Sequence, residues 1–156
     1  MSSSAGSGFT KLNRYGSLYE NTMRLDFSSF KKALASLNRA LQRSQTAPGD
    51  EELRDAVIKR FEYTYELAWK SLKRQLEQEA PTPAQIDQFS YRDLLREAAQ
   101  AGIITQVERW MDYREAHNIT SHTYDDLKAQ QVYDVVINFF QDASELLKAL
   151  EERSHD

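Results

Sequence analysis

One apolar period, that of the α-helix, runs through most of this chain and limits what it can fold into. Near the C-terminus Val132, Val135, Val136, Phe139, Phe140, Ala143, Leu146, Leu147 and Leu150 recur at steps of mainly three and four. At about 3.6 residues per turn, such steps line one face of a helix, and that face must be buried. Phe30, Leu34, Leu37 and Leu41 repeat the pattern. So do Leu53, Val57, Phe61, Tyr65, Ala68, Leu72 and Leu76, with Trp69 widening the stripe. No stretch alternates apolar and polar residues long enough to make a strand. Several amphipathic helices without a sheet can bury their stripes only against one another.

The helix breakers divide these stripes. Ala47 to Asp50 holds Pro48 and Gly49, which ends the first helix. A second helix is expected from about Glu51 to Glu79, closed by Pro81 and Pro83. Ser90 can cap a short helix carrying Leu94, Leu95 and Ala98, and Gly102 can end it in the left-handed conformation. Ile103, Ile104, Val107, Trp110 and Met111 mark a fourth helix. Short connections make neighbours antiparallel. The expected fold is all-α, a four- to five-helix antiparallel bundle forming one domain over residues 23–153. Residues 1–22, rich in Ser and Gly, read as a flexible lead.

Composition narrows function. The sequence of 156 residues has no Cys, which excludes a thiol nucleophile, a disulfide scaffold and Cys-ligated metal. Net charge is −4, so no uniformly basic surface coats nucleic acid. With only five Gly, and no Gly-rich phosphate loop, a bound dinucleotide or P-loop nucleotide is not expected, and no cofactor is assigned. No apolar run approaches the roughly 20 residues of a bilayer span, and the N-terminus lacks a secretory pattern. A cytoplasmic protein with no membrane partner is expected.

One segment departs from bundle filler: WMDYREAHNITSHTYD, Trp110 to Asp125. It carries His117 and His122, separated by Asn118, Ile119, Thr120 and Ser121, residues of modest helix propensity. A five-residue step on a regular helix points the two rings apart, so an interruption between them is expected. Thr123 or Asp125 could cap a restarted helix, with Asp126 completing a capping-box-like arrangement after Thr123. Two histidines can supply a general base and a general acid. That chemistry suits RNA cleavage, with Arg114 steadying phosphate. The plain alternative makes His117 a surface residue and His122 a helix-terminal or packing residue. Metal binding by the two histidines and Asp125 lacks a recognised spacing, so no metal is assigned. Phe61, Tyr63, Tyr65 and Trp69 look like a platform for bases but are spaced as core residues. Lys59, Arg60, Lys70, Lys73 and Arg74 bias the second helix towards basic, with Glu62, Glu66 and Glu77 interspersed as on a solvated face.

From Met23 onward, the chain resembles the nucleotidyltransferase substrate-binding protein family of the HEPN superfamily. The resemblance rests on RLDFSSFKKALASLNRAL, RFEYTYELAWKSLKRQL, AGII and WMDYREAHNITSHTYD, in that order. It implies a HEPN-like bundle that forms a homodimer and pairs with a separately encoded minimal nucleotidyltransferase. It further implies a toxin–antitoxin arrangement, with a ribonuclease silenced by attachment of AMP to a Tyr. The family motif is an Arg, usually followed by Asn, then a His and a Tyr. By that resemblance Asn118, His122 and Tyr124 match the Asn, the catalytic His and the modified Tyr. His117 stands where the family has Arg. Arg is charged at every relevant pH and grips phosphate with two donors, whereas histidine titrates near neutrality. Arg114, one turn earlier, is the candidate to take over that grip. The competing expectation is a non-catalytic subunit that presents a nucleotide or other substrate to the nucleotidyltransferase.

Overall fold

A computed structural model of the protein describes residues 25–154. The lead assigned to residues 1–22 lies outside them. The chain turns first at Gly49, whose φ of 88° is open to glycine without strain. Asp50 then caps the second helix, its carboxylate accepting from the backbone N–H groups of Glu52 and Leu53 at 2.9 and 3.1 Å. This turn joins α1 (Ser28–Thr46) to α2 (Glu51–Glu79), which pack along each other as a hairpin. After it come α3 (Ala84–Asp87), α4 (Tyr91–Gln100), α5 (Val107–Ile119) and α6 (Asp126–Ser154), with a single 3₁₀ turn at Thr120–His122. Among the described residues there is no strand, and no helix is long and apolar enough to cross a membrane.

The bundle is all-α as expected, and α2 falls at the expected bounds. Two details differ. Proline closes α2, but the chain then makes the extra single-turn helix α3, which sets buried Ile86 against the core. Ile103 and Ile104 do not belong to the fourth helix. They follow a Schellman end of α4, in which Gly102 takes φ 80° and Gly102 N–H donates to Ala99 C=O. Ile103 N–H closes the motif on Ala98 C=O, and its side chain is buried beside it.

The stripes meet in one core. Leu37 of α1, Val57, Phe61 and Leu72 of α2, and Val132, Val136 and Phe139 of α6 are all essentially buried. Phe139 is its aromatic centre. Its ring lies edge-on to Phe61 at 4.9 Å, to Tyr113 at 5.3 Å and to Trp110 at 5.9 Å. Such edge-to-face pairs add to the area that they bury.

The far end is tied by charge. Arg153 of α6 donates to both Glu79 carboxylate oxygens, at 2.7 and 2.9 Å, and to Ala101 C=O at 3.0 Å. One guanidinium thereby joins the ends of α2, α4 and α6. These hydrogen bonds hold the Glu79 carboxyl below its ordinary range against the opposing effect of burial. A carboxyl with a depressed folded pKa contributes stability above its ordinary value and loses it as pH falls through the folded one. Glu79→Gln is therefore expected to lower stability by about 1 kcal/mol at neutral pH. The difference should close in acid, as read from denaturant midpoints across pH.

Candidate functional site

The site is built on α5. Trp110, Tyr113 and Ala116 turn one side of this helix into the core. Arg109 fixes it to α6 by donating to both oxygens of Asp142, at 2.9 and 3.1 Å, and the Tyr113 hydroxyl donates to the same carboxylate. Burial, then this carboxylate, push the Tyr113 phenol up, so it stays a donor. With that side committed, Arg114, His117 and Asn118 share the other face, as steps of three and four require.

These three residues line a cavity of about 370 Å³ between α5, α2 and the α3–α4 segment. Tyr65, Glu66, Trp69 and Lys73 come from α2, at helical spacing, and Phe89 and Tyr91 complete an aromatic wall. The His117 ring lies against Tyr65, with centroids at 4.8 Å, and its Nε2 is 3.0 Å from a Glu66 oxygen. The Tyr65 and Tyr91 hydroxyls hydrogen-bond at 2.6 Å. Burial raises both phenols, so neither ionises near neutrality. Trp69 meets the Tyr91 ring at 4.6 Å, and the Arg114 guanidinium sits 4.3 Å over the same ring.

The helix then breaks between the two histidines, as the sequence predicts. Thr120 Oγ1 donates to His117 C=O at 2.7 Å and Thr123 Oγ1 to Thr120 C=O at 3.2 Å. These hydroxyls satisfy carbonyls that a continuing helix would have used. The restart is capped by Asp125, which accepts from Leu127 and Lys128 N–H at 2.9 and 3.3 Å. Thr123 is not the cap and the capping box with Asp126 does not form. Asp126 instead accepts from Arg54 at 3.3 Å.

Arg114, His117 and Asn118 are thus brought together, whereas His122 and Tyr124 are not among the cavity's lining residues. His122 is exposed on the 3₁₀ turn, its ring centroid 6.3 Å from that of Tyr124. Tyr124 is 85% exposed and Leu127 beside it 83%. Among the described residues no cluster of three or more His, Asp or Glu is arranged to hold a metal ion.

The sequence reading missed the far wall of the cavity. Phe61 is core, as its spacing implies, and Tyr63 bonds Ser36 at the surface. Tyr65 and Trp69, however, line the cavity as well as the core, and their i,i+4 spacing on one face was the available signal. The basic bias of α2 is mostly a solvated face: Lys59 pairs with Glu62, and Arg60 reaches Ser36 C=O. Lys73 alone of that group lines the cavity, paired with Asp87 at 3.6 Å.

The fold is that of a small all-helical domain with a cleft along α5. The chain belongs to the family described as nucleotidyltransferase substrate binding protein like, matched over residues 25–152. It is similar to the probable ribonuclease HepT of Haemophilus influenzae, with 43% identity over 98 residues, which are 63% of this chain and 67% of that protein. Among solved structures it resembles HI0074 of Haemophilus influenzae, described as revealing the fold of a substrate binding domain of a nucleotidyltransferase. That match has a TM-score of 0.76 and 34% identity, covering 81% of this chain and 99% of HI0074. A protein of Thermus thermophilus shares the fold at 24% identity and a TM-score of 0.65, covering 78% of this chain and 98% of its own.

Proposed function

We propose that this protein is the helical partner of a separately encoded minimal nucleotidyltransferase, and a metal-independent ribonuclease that the partner silences by attaching AMP to Tyr124. The observation that carries the reading is the junction between α5 and α6. It holds a solvent-facing His122 and an aromatic side chain, Tyr124, that is 85% exposed. A large ring left out of the core is open to a second enzyme. The membership of the chain in a nucleotidyltransferase-related family and its likeness to a probable ribonuclease support the same reading.

In this mechanism the 2′-hydroxyl of RNA loses a proton and attacks the adjacent phosphorus. The bond to the 5′-oxygen breaks, and that oxygen takes up a proton. His122 is the general base or acid, and Arg114 or His117 steadies the phosphate, with Asn118 orienting the site. Since His122 does not line the cavity that holds Arg114, the complete site in this reading is shared in a homodimer whose two α5–α6 junctions face one another. AMP on Tyr124 adds bulk and negative charge where RNA phosphate must pass.

The pairing of His117 with Glu66 favours a second reading. A histidine already engaged by a carboxylate is a weaker phosphate grip than arginine. On that reading the protein is a non-catalytic subunit that presents a nucleotide or other substrate to the nucleotidyltransferase. Cleavage of RNA by the purified protein at about pH 6 and about pH 8, with EDTA present, separates the two, because only the ribonuclease reading has the protein break the RNA chain. The ribonuclease reading expects cleavage, increased in His117→Arg. Silence of both proteins leaves the binding subunit.

A further inference from the structure

One face of the α1–α2 hairpin gathers positive charge in a chain whose net charge is −4. α1 carries Lys31, Lys32, Arg39 and Arg43 and no Asp or Glu. Lys32, Ser36, Arg39 and Arg43 follow at steps of four, three and four, so they share one stripe. On α2, Arg60, Tyr63, Lys70 and Arg74 make a second stripe at steps of three, seven and four. Two hydrogen bonds lay the stripes side by side. The Arg60 guanidinium donates to Ser36 C=O at 2.9 Å, and the Ser36 and Tyr63 hydroxyls meet at 3.1 Å. The carboxylates of α2 mostly leave this face. Glu62 and Glu66 turn to the opposite flank, where they meet Thr120 at 3.4 Å and His117 at 3.0 Å. Glu52 and Glu77 stand at the two ends of the α2 stripe, and Lys32 lies near Asp26 at the start of α1. Arg39, Arg43, Lys70 and Arg74 are exposed and have no ion-pair partner among the described residues.

We infer that this face holds single-stranded RNA, its phosphates on the cations of the two stripes and a base stacked on Tyr63. A purely solvated face intersperses both signs of charge, whereas here one sign is collected. Tyr63 is 37% exposed, an aromatic ring set among the cations. Cations that track a backbone, with a ring on which any base can stack, make a sequence-tolerant single-strand site. An acidic peptide would use the cations and leave the ring without a role. From Arg60 to Arg74, α2 runs about 21 Å at about 1.5 Å per residue, enough for several nucleotides. The face lies across α2 from the α5–α6 junction, so a strand held here leaves His122 open. RNA is taken as the strand from the ribonuclease reading, and in that respect the inference rests on it. The holding face uses none of the residues assigned to cleavage.

Fluorescence anisotropy of the full chain with a labelled single-stranded RNA of about a dozen nucleotides tests it, the 2′-hydroxyls methylated so that the strand cannot be cut. Affinity should fall with salt at a log–log slope of about −3, as for about four phosphates neutralised on a single strand. Combining Arg39→Gln, Lys70→Gln and Arg74→Gln should weaken binding about 10²-fold at about 0.1 M salt and flatten the slope by about 2. Tyr63→Leu should weaken it about fivefold. Tyr63→Phe, which keeps the ring and loses only the Ser36 hydrogen bond, should bind nearly as wild type. Lys148→Gln, at an exposed position on α6, serves as the control and should stay within about twofold. Denaturant midpoints of all variants separate lost contacts from lost folding. Wild-type affinity in the triple variant overturns the inference. So does polyglutamate of equal length binding as tightly as RNA, which would make the face a dock for an acidic protein. Binding through this face without cleavage of the unmethylated strand leaves the inference standing and removes the ribonuclease reading. Cleavage with affinity untouched by the triple variant removes the inference alone.

Discussion

His122→Ala is expected to lower RNA cleavage by about 10²- to 10⁴-fold, the usual contribution of a positioned acid or base. Folding stability should stay within about 0.5 kcal/mol of the wild type. The two expectations belong together. His122 is exposed on the 3₁₀ turn, and its described contact is the ring of Tyr124 at 6.3 Å, so its removal opens no cavity in the core. A helix-terminal role would give the opposite pattern, a small loss of stability with cleavage intact. RNA gel assays and denaturant unfolding on the same preparation read both quantities. Wild-type cleavage by His122→Ala would take this residue out of the reaction.

Phe139→Ala is expected to be the most damaging single truncation to the fold, at about 3–5 kcal/mol. That is a large part of the total of about 5–15 kcal/mol available to a typical domain. The ring is fully buried and touches aromatic rings from both α2 and α5. It also lies 6.2 Å from Tyr65, on which His117 rests. Its loss therefore loosens both walls of the cavity. The denaturant midpoint should fall sharply with an unchanged slope. A stability change under about 1 kcal/mol would mean that the core closes over the gap, which a rigid aromatic cluster resists.

The helices were legible because their stripes, caps and breakers agree. Asp50, Ser90 and Gly102 each signal a boundary locally, and each acts as its chemistry predicts. The interruption after His117 was readable for the same reason: Thr120 and Thr123 bind carbonyls close to them in sequence. Asp125 rather than Thr123 is the cap because its carboxylate, directly before α6, is the group that accepts from the first free N–H groups, those of Leu127 and Lys128. The cavity was only half legible. Arg114, His117 and Asn118 stand together in the sequence, and helical spacing puts them on one face. Glu66, Trp69 and Tyr91 reach them only through packing of α2 and α4 against α5, and a residue 51 positions from His117 leaves no local trace of that contact. Their aromatic character pointed equally to core, and Tyr65 serves as both core and wall.

The central claim is that a nucleotidyltransferase partner silences this protein through Tyr124. The most direct test incubates the purified chain with that enzyme and ATP, then reads intact mass, the modified residue and RNA cleavage together. The account predicts AMP on Tyr124, none on Tyr124→Phe, and cleavage lost only in the modified protein. A chain that gains no AMP in the presence of an active partner, or one that carries AMP on Tyr124 and still cuts RNA at the unmodified rate, would contradict it.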